Sequence, residues 1–401
     1  MSNAADNPSR PDRSLRSRRI RATAGTGVVA CLALVAGLLT GAGSSSGDSP
    51  DGAREGSASS GAAPLEASPS ASLGPNTLAG QRTIVGFPGT SIPRPVSRGI
   101  RNGRIGGVIL FSDNIPSREA VQRLTRRLQA INRPKPLRAY PLLIMTDQEG
   151  GLVKRISGAP EASAAEMGRR GPRFARRQGR LTGRNLTNAG INVNLAPVLD
   201  VARPGGNIAA TDRGFGSTVR GVVRSAIPFA NALEANGVAA TAKHFPGLGS
   251  VKLNTDNAVQ RIRLSKATLR RIDQAVYEPF IRSRGDLVMV GTAIYPAFSG
   301  KPAAFSKRIV TGELRTRLGF KGVTVTDALG AVAARAFGGP RRLTPAAAHA
   351  GMDLMLFSDH SSALRGQDSM ADRLRSGKLS PAAFRRSVDR VLRLRARLAR
   401  R

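Results

Sequence analysis

From about residue 76 onward, apolar runs recur along the chain, and most are followed by a stretch with helical spacing. Eight of these runs are predicted as strands: 82–87, 106–112, 141–147, 192–200, 238–243, 286–291, 322–327 and 353–357. Their interiors are near-continuous Val, Ile, Leu and Met. That is the pattern of parallel strands buried on both faces, not of half-exposed antiparallel ones. Between the second and third runs, residues 117–132 place Val121, Leu124, Leu128 and Ile131 on one helical face. Residues 265–284 are likewise predicted as one helix. Eight β/α alternations over about 325 residues predict the α/β class and a single (β/α)₈ TIM-type barrel. A doubly wound open sheet is the alternative. No G-x-G-x-x-G follows the first run and no G-x-x-x-x-G-K-[ST] occurs, which removes the usual support for a nucleotide-binding sheet.

The texture before residue 76 is different. Arg10, Arg13, Arg16, Arg18, Arg19 and Arg21 precede the apolar run 27–42, GVVACLALVAGLLTGA. The run has the length of a signal-peptide core and is short for a bilayer span of roughly 20 residues. Residues 1–42 are therefore expected to be a signal peptide, with an uncleaved membrane anchor through 27–42 as the alternative. Residues 43–75 are mostly Ser, Gly, Ala and Pro with no periodicity, and are expected to be a flexible linker. The barrel domain is assigned to 76–401, and the protein is expected to be exported, secreted or associated with the cell envelope.

Charge changes the picture of partners. Lys and Arg total 62 against 26 Asp and Glu, a net +36, and residues 1–75 hold seven Arg and six acidic residues, so the excess belongs to the barrel. Aromatics are only 4% and do not interleave with Arg, so specific nucleic-acid binding is not expected. Non-specific attraction to anionic cell-wall polymers follows from charge alone. A single Cys excludes a disulfide framework, and three His without H-E-x-x-H give no metal site. His349 and His360 read as structural or surface residues. No cofactor is expected, and the absence of G-x-S-x-G argues against a serine hydrolase.

Several predicted strands end in polar residues. The third ends in Asp147, the fourth in Asp200, the fifth in Lys243 and His244, and the seventh in Asp327. In a barrel these ends share one mouth. Carboxylates and cations converging there suit a polyhydroxylated ligand, through charge-assisted hydrogen bonds. Taken singly, each could instead be a strand-end cap or half of an ion pair.

At these residues the chain resembles glycoside hydrolase family 3, in particular its single-domain β-N-acetylhexosaminidase branch. The likeness runs from about Leu78 to the end of the chain. It is carried in order by GGVILFS (106–112), DQEGGLVKR (147–155), APVLDV (196–201), RGFG (213–216), AKHFPG (242–247) and TDAL (326–329). The resemblance implies a retaining β-glycosidase acting on a carbohydrate, exo on β-N-acetylglucosaminides such as peptidoglycan fragments. It implies Asp327 as nucleophile, and Asp147, Arg155, Arg213, Lys243 and His244 as substrate-binding residues. Lys243 and Arg213 are expected to hold the Asp327 carboxyl low. Alternatives remain: Arg213 as a partner of Asp200 or Asp147, and His244 as a satisfied core histidine.

One loop departs from that branch. The family's Asp-x-His acid/base dyad follows the fifth strand, where this chain reads KHFPGLGSVKLNTD (243–256). Asn254 stands at the dyad Asp and Asp256 at the dyad His. A second departure is Gly291-Thr292-Ala293, where the family often has His. Asp256 is the candidate acid/base, although an ordinary Asp at about 3.9 is ionised at neutral pH. A carboxylate neighbour, Asp327, could raise it when the loop closes. A catalytically degenerate sugar-binding barrel and a cell-wall scaffold protein are the alternatives.

Overall fold

The computed structural model describes residues 68–401. The expected signal peptide and most of the expected linker fall on residues 1–67, outside the described residues. All eight predicted runs contain a strand. In chain order the strands are β1 Thr83–Val85, β2 Gly107–Ile109, β3 Leu143–Thr146, β4 Gln148–Gly150, β5 Val153–Lys154, β6 Val193–Asn194, β7 Ala239–Phe245, β8 Leu287–Val290, β9 Val323–Thr326 and β10 Met355–Phe357. β4 and β5 form a small antiparallel hairpin that the apolar pattern does not predict. The other eight are parallel, in the order β10-β1-β2-β3-β6-β7-β8-β9. The ring closes where Val325 bridges Leu354. There the Thr326 N–H donates to the Leu354 carbonyl at 3.0 Å, and the Leu354 N–H to the Thr324 carbonyl at 2.8 Å. The chain is a (β/α)₈ barrel.

Alternation along the strands splits the core in two. Ile84, Ile109, Leu143, Met145, Leu287 and Val323 point into the barrel, and Val85, Val108, Ile144 and Val288 pack outward against helices. The last helix, Pro381–Arg400, adds Val391, Leu394 and Leu398 to the inner cluster.

Three expectations need correction. The run 192–200 is a regular strand only at Val193–Asn194 and pairs irregularly beyond it, where Pro197 has no N–H to donate. The chain nevertheless stays on the barrel. The Leu195 N–H donates to the Thr146 carbonyl at 2.9 Å, and the Ala196 and Pro197 carbonyls accept the N–H groups of Thr241 and Lys243 at 2.9 and 3.1 Å. Val198 bridges Lys243, and the Leu199 N–H reaches the Lys243 carbonyl at 2.6 Å. The helix expected over 265–284 is broken into Lys266–Thr268, a π-helical turn at Leu269–Gln274, and Tyr277–Arg282. Pro279 cannot donate to the Ala275 carbonyl, which takes the Glu278 N–H instead at 3.3 Å. Finally, residues 68–75 are packed and not free. Ser68 Oγ donates to Asp389 at 2.7 Å, the Ser70 N–H donates to the same carboxylate at 3.0 Å, and Leu73 is buried.

Candidate active site

The C-terminal ends of the strands surround a cavity of about 410 Å³. Asp147, Arg155, Arg213, Lys243, His244, Asn254, Asp256 and Asp327 all line it. Every residue to which the resemblance assigns a catalytic or substrate-binding role therefore lines one cavity, whereas Asp200, also at a predicted strand end, does not.

The β4–β5 hairpin explains how Asp147 and Arg155 come together. Gly150 and Gly151 take positive φ, 97° and 58°, to turn the chain back. A Cβ on Gly150 would stand 2.2 Å from the Ala162 carbonyl oxygen, so the turn also needs the missing side chain. The buried Gln148 amide then locks the return: its Oε1 accepts from the N–H groups of Arg155 and Ile156, at 2.9 and 3.0 Å.

A buried charge cluster sits beside it. Lys243 Nζ lies 2.7 Å from Asp147 Oδ1 and 2.7 Å from Glu149 Oε1. Arg213 grips Glu149 with Nε and Nη2, both at 2.8 Å. Burial alone would push the Glu149 carboxyl up. The two cations outweigh it and hold it at about 2. The same pairs raise Lys243 and Arg213 above their ordinary values, against burial. Sequence reasoning missed Glu149. The signal was present: Glu149 is two positions after Asp147 at the end of a strand, the spacing that puts two side chains on one face. Arg213 is thus the partner of Glu149, not of Asp200 or Asp147.

Asp200 is almost fully buried beneath the site. Its Oδ2 lies 2.7 Å from His244 Nδ1, and its Oδ1 accepts the Leu248 N–H at 2.6 Å. His244 is therefore both a satisfied buried histidine and part of the cavity wall. Asp200 orients the imidazole and holds the root of the loop that follows β7.

Asp327 closes β9. Its Oδ1 accepts the Ala328 N–H at 2.8 Å. Burial pushes its carboxyl above the usual range, with the Asp256 charge adding to the rise. His244, the Ala328 N–H and Lys243 pull the other way and do not prevail. The expectation that Lys243 and Arg213 hold it low is corrected here, because both cations are engaged by Asp147 and Glu149.

The loop carrying Asn254 and Asp256 is fastened at both ends. Tyr295 Oη donates to the Gly247 carbonyl at 2.8 Å, and the Asn207 N–H to that of Val251 at 2.7 Å. Beyond them, the Ala333 and Val332 N–H groups donate to the carbonyls of Thr255 and Asp256, both at 3.2 Å. Asn254 Nδ2 donates to Asp256 Oδ2 at 3.1 Å, and the Asp256 N–H returns to Asn254 Oδ1 at 3.0 Å. The loop is thus docked on the segment after β9, the strand that presents Asp327.

Residues 84–394 match the family model for the glycosyl hydrolase family 3 N-terminal domain. The chain belongs to glycoside hydrolase family 3. Among the relatives of this family-3 hydrolase is an uncharacterized secreted glycosyl hydrolase of Arthroderma benhamiae, 36% identical over 83% of this chain and 96% of that protein. A beta-hexosaminidase of Alkalilimnicola ehrlichii is 35% identical over 70% of this chain and 81% of that protein. Among solved structures, a family-3 beta-N-acetylglucosaminidase from a Paenibacillus species superposes with a TM-score of 0.75 at 31% identity, covering 80% of this chain and 62% of that one. Among the described residues, no helix is long and apolar enough to cross a membrane, and the candidate anchor 27–42 lies outside them.

Proposed function

We propose that this family-3 hydrolase is a retaining, exo-acting β-N-acetylhexosaminidase. It removes terminal β-N-acetylglucosaminyl residues from glycans such as peptidoglycan fragments. The observation that carries the reading is the placement of the Asp327 carboxylate, at the end of β9, in one cavity with the Asp147–Lys243–Glu149–Arg213 cluster. The cluster, with Arg155 and His244, supplies donors and acceptors that fix the sugar ring over Asp327. Asp327 then forms a bond to the anomeric carbon as the glycosidic C–O bond breaks, and the departing oxygen takes a proton from Asp256. In the second half, water attacks the glycosyl–Asp327 ester, gives its proton to Asp256 and frees the sugar. Asn254 holds the Asp256 carboxylate in place.

The names of the relatives support the N-acetylhexosaminide class, and the Arthroderma protein's name, with the basic and apolar pattern of 1–42, supports export. The test is a chromogenic β-N-acetylglucosaminide assay with Asp327→Ala, together with a 5-fluoro-N-acetylglucosaminyl fluoride as a trap. Turnover, loss of it in Asp327→Ala and a label on Asp327 are expected. A label elsewhere, with Asp327→Ala fully active, removes the mechanism.

A further inference from the structure

The barrel's outer wall carries a second concavity, of about 580 Å³, between the helices Pro172–Asn188 and Val219–Glu234. It shares no lining residue with the mouth. Arg173, Arg176, Arg177 and Arg180 line it, and Arg184 continues their row. Steps of three and four place all five on one helical face. At about 1.5 Å rise per residue the stripe is about 16 Å long.

All five are exposed, and none pairs with an acidic side chain among the described residues. The sequence favours this locally: no Asp or Glu occurs between Glu166 and Asp200, or between Asp212 and Glu234. The last helix, also rich in Arg, is a useful contrast. There Arg390 pairs with Asp353, Arg397 with Asp286, and Arg395 donates to the Pro141 carbonyl. Those arginines hold the fold together. The five on Pro172–Asn188 have no such structural task, and like charges three and four apart destabilise the helix that carries them.

We propose that this groove binds a linear, base-free phosphodiester polymer of the polyol-phosphate kind, holding the enzyme on the envelope with its mouth free. Guanidinium forks match phosphate oxygens in pairs, and a row of them meets successive charges along such a chain. A nucleic acid fits less well, because no aromatic side chain lines the groove to stack a base. A bilayer also fits less well. Among the described residues the exposed large apolar side chains are Leu152, Leu253, Val259 and Val332, all on other segments, so nothing in the groove inserts among acyl chains. The groove's role is independent of the chemistry in the mouth.

The test titrates the purified full chain with synthetic poly(glycerol phosphate) over a series of salt concentrations. R173Q/R176Q/R177Q/R180Q is compared with R98Q/R101Q/R126Q/R127Q, which removes the same charge from other exposed positions. Melting curves and hydrolysis of a small substrate confirm that both variants fold. The groove variant should bind on the order of tenfold more weakly and with a shallower salt dependence, since fewer counterions are released. The control should stay within about twofold of the parent. Equal losses in the two variants would reduce the effect to diffuse charge and overturn the site. Tighter binding of a single-stranded oligonucleotide, or of phosphatidylglycerol vesicles, through the same four arginines would also overturn it.

Discussion

Arg213 and Glu149 face each other as a two-pronged ion pair, with both N–H···O distances 2.8 Å, and Lys243 closes on the same carboxylate from the other side at 2.7 Å. The pair shapes one wall of the cavity from groups that are largely buried. Removing one partner of such a pair typically costs about 3–5 kcal/mol. Glu149→Gln should therefore melt well below the parent at neutral pH and raise KM. The folded carboxyl titrates at about 2, below its ordinary 4.5, so its stabilisation is complete above 4.5 and lost as pH falls through about 2. The gap between parent and variant should narrow across that window. Parallel melting profiles down to acid pH would show that the pair does not carry this stability.

The packed N-terminal segment gives a boundary that can be measured. Ser68 and Ser70 satisfy both oxygens of the buried Asp389. A chain beginning at residue 76 leaves that carboxylate without them, at a cost of about 1–3 kcal/mol. Limited proteolysis should trim to just before Ser68, and a chain starting at 68 should melt above one starting at 76. Equal melting of the two would make residues 68–75 an adherent part of the linker.

Glu234 offers a titration of opposite sign. Burial, and then the Asp286 charge, push its carboxyl up to about 8, while its Oε1 accepts the Asp286 N–H at 2.9 Å. The folded state then holds a proton that the unfolded state releases near 4.5, so stability falls as pH rises from about 4.5 to about 8. Glu234→Gln imitates the protonated form and should flatten that part of the pH–stability curve. An unchanged slope in the variant would assign it to another group.

The eight strands were legible because parallel strands covered by helices on one side and a filled barrel on the other are apolar on both faces. Their C-terminal residues were legible for a related reason: Asp147, Lys243 and Asp327 are polar where an apolar run ends. What the sequence does not reveal is which charge engages which. It shows Lys243 and Arg213 near Asp327 in the same mouth. Only the fold shows that Glu149 and Asp147 take both cations, leaving the Asp327 carboxyl raised and not lowered. The break in 265–284 was hidden for the same sort of reason, since its apolar spacing is helical and the interruption comes from a missing N–H at Pro279. The β4–β5 hairpin was hidden because a two-glycine turn within a short motif has too few residues to show a period.

In the proposed mechanism Asp256 protonates the leaving group, and its charge acting on Asp327 gives two separate readouts. As the acid/base, Asp256→Asn should slow substrates with poor leaving groups by about 10²–10⁴-fold, because those need a proton to depart. Activated aryl glycosides should lose less in the first step, and azide should restore their turnover by attacking the glycosyl-enzyme without a general base. The second readout is electrostatic. The Asp256 charge helps to raise the Asp327 carboxyl, so its removal should lower that value. Asp327 must be ionised to attack, so the acidic limb of kcat/KM should move to lower pH in Asp256→Asn. A group that only shapes the loop would not shift the limb. Asn254→Asp combined with Asp256→His places an imidazole, which titrates near 6.5, on the same docked loop, and should move the optimum toward neutral. If Asp256→Asn changes neither the leaving-group dependence nor the acidic limb, proton transfer belongs to another residue of the mouth.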